Sequence, residues 1–190
     1  MYTAKALCKE GLCCNQFSIH PNMIYRTATT ADIERIGDII ESAKESLRSR
    51  AIDQWQRGYP NVEVVGGDIA QGVGRVVCNE QGEVVGYGAL ILTGEPAYDL
   101  LTDGKWLTAG PYGVIHRLCT HTCEARKGVA NYFMAQAEEE LRKQGIPSMR
   151  IDTHPQNLYM QGLIEKRGYT YCGNVIIESL RLAYEKMVNC

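Results

Sequence analysis

The chain has 190 residues, a length that fits one domain with a substantial core. Charged residues make up 22% of it and the formal net charge is −2. That balance provides no basic field for nucleic acid, and no stretch approaches the ~18 consecutive apolar residues of a membrane span.

Eight cysteines, Cys8, Cys13, Cys14, Cys78, Cys119, Cys123, Cys172 and Cys190, form no CxxC pair and no paired metal-ligand spacing. In a chain of this size they read as reduced thiols of a cytoplasmic protein, and no metal is expected. Residues 1–22 hold three of the eight cysteines but no apolar run of the secretory kind. They read as an N-terminal extension, and the functional domain is expected over 23–188.

Met23 to Thr27 alternates as a strand does. Thr29 and Asp32 have capping-box spacing, and Ile33, Ile36, Ile40, Ala43 and Leu47 follow at helical intervals, so a helix is expected over about 30–48. A polar segment with Gly58 and Pro60 ends it, and Asn61 can cap a short helix reaching Ala70. Val73–Asn79 and Glu83–Leu92 read as strands joined by the turn Glu80-Gln81-Gly82. The loop from Thr93 to Gly113, about twenty residues, is long enough to suggest a functional role. Val114–Thr120 reads as a strand and Lys127–Lys143 as the clearest helix, with Val129, Phe133, Ala137 and Leu141 on one stripe. Strand Ser148–Thr153, helix Pro155–Arg167 and the antiparallel pair Tyr169–Ile177 and Leu180–Lys186 complete the chain. This order predicts an α/β (α+β) fold with a mixed, mostly antiparallel central sheet of seven strands and helices on both faces.

The stretch Ile115 to Ala130 is the most informative. A strand leads through a turn to Gly128, which opens a helix. Free N–H groups and the positive end of a helix dipole meet there, a site suited to a pyrophosphate. Two further segments bear on it. Ile151-Asp-Thr-His-Pro-Gln-Asn157 is a strand entering a helix, and Glu165-Lys-Arg-Gly-Tyr169 closes that helix.

On these three segments residues 23–187 resemble the GNAT superfamily of N-acetyltransferases. The resemblance implies acetyl-CoA as co-substrate and the GNAT acyltransferase fold. The family's pyrophosphate motif, Gln/Arg-x-x-Gly-x-Gly/Ala, falls on Ala125 to Ala130. Gly128 and Ala130 match, while Ala125 stands where Gln or Arg is usual. The implied cofactor contacts are Arg126, Lys127, Gly128, Val129 and Ala130 at the phosphates, Leu118, Cys119 and Thr120 along the pantetheine arm, and Asn157 on that arm. Cys119 reads as a compact wall residue rather than a nucleophile. Many members carry a tyrosine seven residues after the Asn, where it protonates the departing thiolate. Here that position is Ile164, which leaves Tyr159, water or unassisted departure.

Transfer to an amine needs a neutral nucleophile. For a lysine-like amine of pKa about 10.4, that costs roughly 4.6 kcal/mol at pH 7. His116, with an ordinary pKa of about 6.5, is the candidate base, placed by strand alternation on the same face as Leu118. The alternative is a hydrogen-bonded core histidine. His154 and Glu83 are weaker candidates. The segment Ile52-Asp-Gln-Trp-Gln-Arg-Gly-Tyr-Pro60 resembles one found in a subset of bacterial GNAT proteins. Trp55, Gln56 and Tyr59 are expected to bind the acceptor, with Gln54 and Asp53 beside them and Trp106 and Tyr112 opposite. The competing reading has the two tryptophans anchoring loops. The function expected is transfer of an acetyl group to a small-molecule or peptide amine; the alternative is an acyl-CoA-binding domain with little turnover. A homodimer through sheet edges or the terminal hairpin is also in keeping with the resemblance.

Overall fold

A computed structural model describes residues 23–188. The expected extension over 1–22 lies outside the described residues. Seven strands, β1 (Ile24–Thr27), β2 (Gly74–Cys78), β3 (Val84–Ile91), β4 (Tyr112–Thr120), β5 (Ser148–Thr153), β6 (Thr170–Ile177) and β7 (Ser179–Met187), form one sheet in the order β1-β2-β3-β4-β5-β7-β6. All neighbours pair antiparallel except β4 and β5. A parallel pair needs a crossover, and helix α3 (Val129–Lys143) supplies it.

Helix α1 (Ile33–Arg48) starts where a carboxylate collects orphan donors. The Thr29 backbone N–H and hydroxyl donate to Asp32 at 2.8 and 2.9 Å, and Arg26 grips the same carboxylate with two bonds of 2.8 Å. The Arg26 bonds are the main reason the Asp32 pKa falls to about 2. Helix α2 (Val62–Ala70) begins as its sequence suggests, with Asn61 Oδ1 accepting from the Val64 N–H at 3.1 Å.

The sheet is covered on both faces. On one, Phe133, Ala137 and Leu141 of α3 and Ile164 of helix α4 (Leu158–Lys166) bury against Ile115, Met149 and Ile151. Gly88 permits this approach, because a Cβ there would lie 2.6 Å from the Phe133 ring. On the other face, Ile36, Ile39 and Ile40 of α1 and Val65 of α2 pack on Val76, Tyr87 and Cys119. The segment between β3 and β4 covers the remainder, placing Tyr98 on Val114, Val175 and Ala183. That segment is more ordered than its sequence suggests. It contains a short 3-10 turn, Pro96–Leu100, and a bridge from Thr102 to Asn174.

Two irregularities in β4 create the site. Its pairing with β5 runs only from Tyr112–Ser148 to Val114–Arg150, although both strands continue. Beyond that point the two strands have no shared ladder. The register with β3 also slips: Ala89 faces His116 and Tyr87 faces Cys119, so Arg117 and Leu118 together oppose Gly88. Arg117 absorbs this β-bulge at φ 58°. The expected alternation therefore fails. Leu118 joins the α3 face with Ile115, whereas His116 sits against Tyr98 on the opposite face. The placement of His116 and Leu118 on one face is corrected by the bulge, which strand periodicity alone does not reveal.

Candidate active site

A cleft of about 610 Å3 opens where β4 and β5 part. At one end lies the start of α3. Arg126 and Gly128 both adopt left-handed backbone, at φ 65° and 84°, and Gly128 is the N-cap residue. Left-handed Gly128 followed by right-handed helical Val129 turns successive N–H groups toward one side, the geometry of an anion nest. Among the described residues no side chain caps α3, so the N–H groups of its first turn have no intrahelical acceptor and none from a cap. The helix starts at Val129, later than Lys127, because Gly128 leaves the helical region. Arg126, Gly128, Val129 and Ala130 line the cleft; the Lys127 ammonium instead pairs with Glu124 at 3.2 Å. A concave set of free N–H groups fits a pyrophosphate without any particular side chain at Ala125.

Leu118, Cys119 and Thr120 line the middle of the cleft. Cys119 is buried, and burial pushes its thiol up to about 12, a value that suits a wall residue and not a nucleophile. Asn157 caps α4, accepting from the Met160 N–H at 3.3 Å and donating to Gln54 Oε1 at 3.0 Å. Tyr159 borders the cleft and is exposed, with the Arg50 guanidinium 4.8 Å from its ring centre. Ile164 is fully buried in the core and faces no solvent.

At the other end His116 is held between two carboxylates. Its Nε2 lies 2.9 Å from Glu95 Oε2, and its Nδ1 lies 4.0 Å from Asp152 Oδ1. The bond to His116 is the main cause that holds Glu95 below the usual carboxylate range. An ionised Glu95 selects the tautomer with the proton on Nε2 and leaves the Nδ1 lone pair free. Asp152 takes the Tyr98 hydroxyl at 2.8 Å, and burial pushes its carboxyl up. His154 and Glu83, the weaker base candidates, stand apart: neither lines the cleft, and Glu83 lies on the exposed β2–β3 turn.

The 52–61 segment reaches the cleft through Gln54, Trp55 and Tyr59. The Tyr59 hydroxyl accepts from Arg117 at 2.7 Å, and Arg117 also grips Asp68 of α2 at 2.6 and 2.9 Å. Gln56 does not line the cleft. It ties the segment to α1, accepting from Arg48 and donating to the Lys44 and Gln54 carbonyls. Trp106 and Tyr112 also lie outside the cleft. Both rings stack on the Arg150 guanidinium, 4.1 and 3.7 Å from their centres, and the Trp106 indole donates to the Tyr98 carbonyl at 2.9 Å. Glu95, Tyr98, Asp152, Arg117 and Arg181 are cleft or cleft-supporting residues that the sequence did not single out. They come from separate segments with no motif spacing between them.

A model of the acetyltransferase (GNAT) family matches residues 39–169. A GNAT-family acetyltransferase from Streptococcus agalactiae 2603 is 34% identical, covers 87% of this chain and 95% of its own, and superposes with a TM-score of 0.81. The PaiA N-acetyltransferase of Thermoplasma acidophilum, solved in complex with coenzyme A, is 18% identical over 87% of this chain and 98% of its own, with a TM-score of 0.64. The yncA protein of Salmonella typhimurium, solved with its cofactor acetyl-CoA, is 14% identical over 88% and 94%, with a TM-score of 0.61. No curated protein matches the chain. The family match and the identity to the streptococcal protein together place the chain in the GNAT acetyltransferase family, and it is an acyltransferase.

Proposed function

We propose that the protein transfers an acetyl group from acetyl-CoA to the amine of a small molecule or peptide by direct attack. One observation carries this reading: an uncapped N–H cradle and a carboxylate-bound histidine open into the same cleft. Acetyl-CoA supplies an activated acyl thioester, whose thiol, with a pKa of about 8.5, is a tolerable leaving group.

The chain's own residues divide the work. The backbone of Arg126, Gly128, Val129 and Ala130 holds the pyrophosphate. The edge of β4 beyond Val114, freed from β5, pairs with the pantetheine arm, with Leu118, Cys119 and Thr120 as its wall and Asn157 as a polar contact. A β4 backbone N–H polarises the carbonyl. His116 takes the amine proton on Nδ1, and Glu95 fixes its tautomer and stabilises the imidazolium. Tyr159 or water returns a proton to the thiolate. Trp55 and Tyr59 form the acceptor wall.

A thiol-release assay with acetyl-CoA and a panel of amines tests the reading. Amine-dependent release supports it. Acetyl-CoA binding with no amine-dependent release rejects it in favour of an acyl-CoA-binding domain with little turnover, the reading that Ala125 and the buried Ile164 favour.

A further inference from the structure

Arg181 of β7 lines the cleft although its residue is 5% exposed. It stands two residues before Ala183, which pairs with Asp152, so it shares the Asp152 face of the sheet. Its Nη1 is buried and has no hydrogen-bond partner among the described residues. Its only ion pair among the described residues is a long one, with Nε 3.9 Å from Asp152 Oδ2.

Other buried arginines are treated differently. Arg150 donates to Glu185 at 3.1 Å and to the Thr108 carbonyl at 2.6 Å. Arg167 donates twice to Glu138, at 2.9 and 2.6 Å. Arg117, nearly as buried, has its two bonds to Asp68. A guanidinium stays charged and presents five donors in a fork that matches a carboxylate, and burying it without an acceptor is costly. Asp152 is a poor partner for it. Its Oδ1 accepts the Tyr98 hydroxyl, and its Oδ2 stands 3.9 Å from the Arg181 Nε, beyond hydrogen-bond distance.

We infer that Arg181 binds the carboxylate of the acceptor, and that the acceptor is an amino acid or a similar small molecule carrying both an amine and a carboxylate. The inference rests on the transfer reading above and narrows its substrate class. Arg181, Asp152 and His116 are successive neighbours, with 3.9 Å and 4.0 Å between their facing atoms. A carboxylate at Arg181 therefore leaves an amine within reach of the histidine when few bonds separate the two groups.

The test compares each L-amino acid with its amide and its decarboxylated amine, in thiol release with acetyl-CoA and in calorimetric binding to the protein saturated with CoA. The carboxylate-bearing members are expected to lead in kcat/KM by about 10–150-fold, the range for a charged hydrogen bond. Arg181→Met is expected to erase that lead with acetyl-CoA affinity unchanged, and Arg181→Lys to restore part of it. Equal or better turnover of amides and amines by the native protein overturns the inference, and that result stands even if Arg181→Met does not fold. If no compound supports thiol release, the transfer reading fails separately. Calorimetry then decides the arginine: carboxylate binding lost in Arg181→Met supports the anion site, and no binding, or binding unchanged in that variant, overturns it.

Discussion

The two ends of the cleft are built by different means. The end proposed as the phosphate cradle comes from one contiguous run, Arg126 to Ala130, and offers main-chain N–H groups set by two left-handed residues. The other end, the proposed acceptor side, gathers side chains from distant segments: Trp55 and Tyr59 after α1, Arg117 in the β4 bulge, Asp152 in β5 and Arg181 in β7. Every residue type except proline carries a main-chain donor, so the proposed cradle does not depend on the side chain at Ala125. Side-chain chemistry has no such tolerance. Changes at the acceptor end should alter which molecule reacts, whereas changes at the cradle should alter whether the co-substrate binds at all.

This contrast can be broken most severely at His116. His116→Ala is expected to lower kcat/KM by about 10²–10⁴-fold, with the acid limb of its pH profile flattened and acetyl-CoA affinity retained. An unchanged profile would remove the base from the acceptor end. Gly128→Val should act at the other end. Valine strongly disfavours φ 84°, and its side chain would hold phosphates away, so acetyl-CoA affinity measured by calorimetry should fall by about 100-fold or more. Undiminished affinity would show that the nest is not the phosphate site. Cys119→Ala should move turnover by no more than about 3-fold, because a buried thiol of raised pKa supplies wall volume alone; loss of all activity would make it chemical.

The smallest effect lies outside the cleft and is a control for it. Asp32 has an ordinary pKa of 3.8 and a folded value of about 2, so its stabilisation is complete above pH 3.8 and is lost as pH falls through about 2. Asp32→Asn should therefore cost about 1 kcal/mol in urea unfolding at neutral pH and almost nothing near pH 2. Arg26 is more than a third exposed, so solvent screening keeps the effect near the low end of what the shift alone implies. Turnover should be unaffected.

Much of this architecture was legible in the chain because it depends on local pattern. The stripe of Val129, Phe133, Ala137 and Leu141 is the buried stripe of α3, and Asn61 caps α2. Gly128 marks the cradle because few other residues accept its backbone angle. The failures have a common cause. The bulge at Arg117 has no residue signature, since its φ is imposed by the pairing of β3 with β4, and it alone separates His116 from Leu118. Trp106 and Tyr112 have the composition of a ligand wall but are claimed by Arg150, whose position is set by β5.

The sequence by itself determined the order of elements, the family resemblance and the glycine on which the cradle turns, because each is written in spacing along one segment. Tertiary structure alone decided that β4 and β5 part after Val114, that Glu95 reaches His116 and that Arg181 Nη1 is left without a hydrogen-bond acceptor among the described residues. Those facts depend on strands and loops far apart in the chain, and charge complementarity across such distances has no local period to betray it.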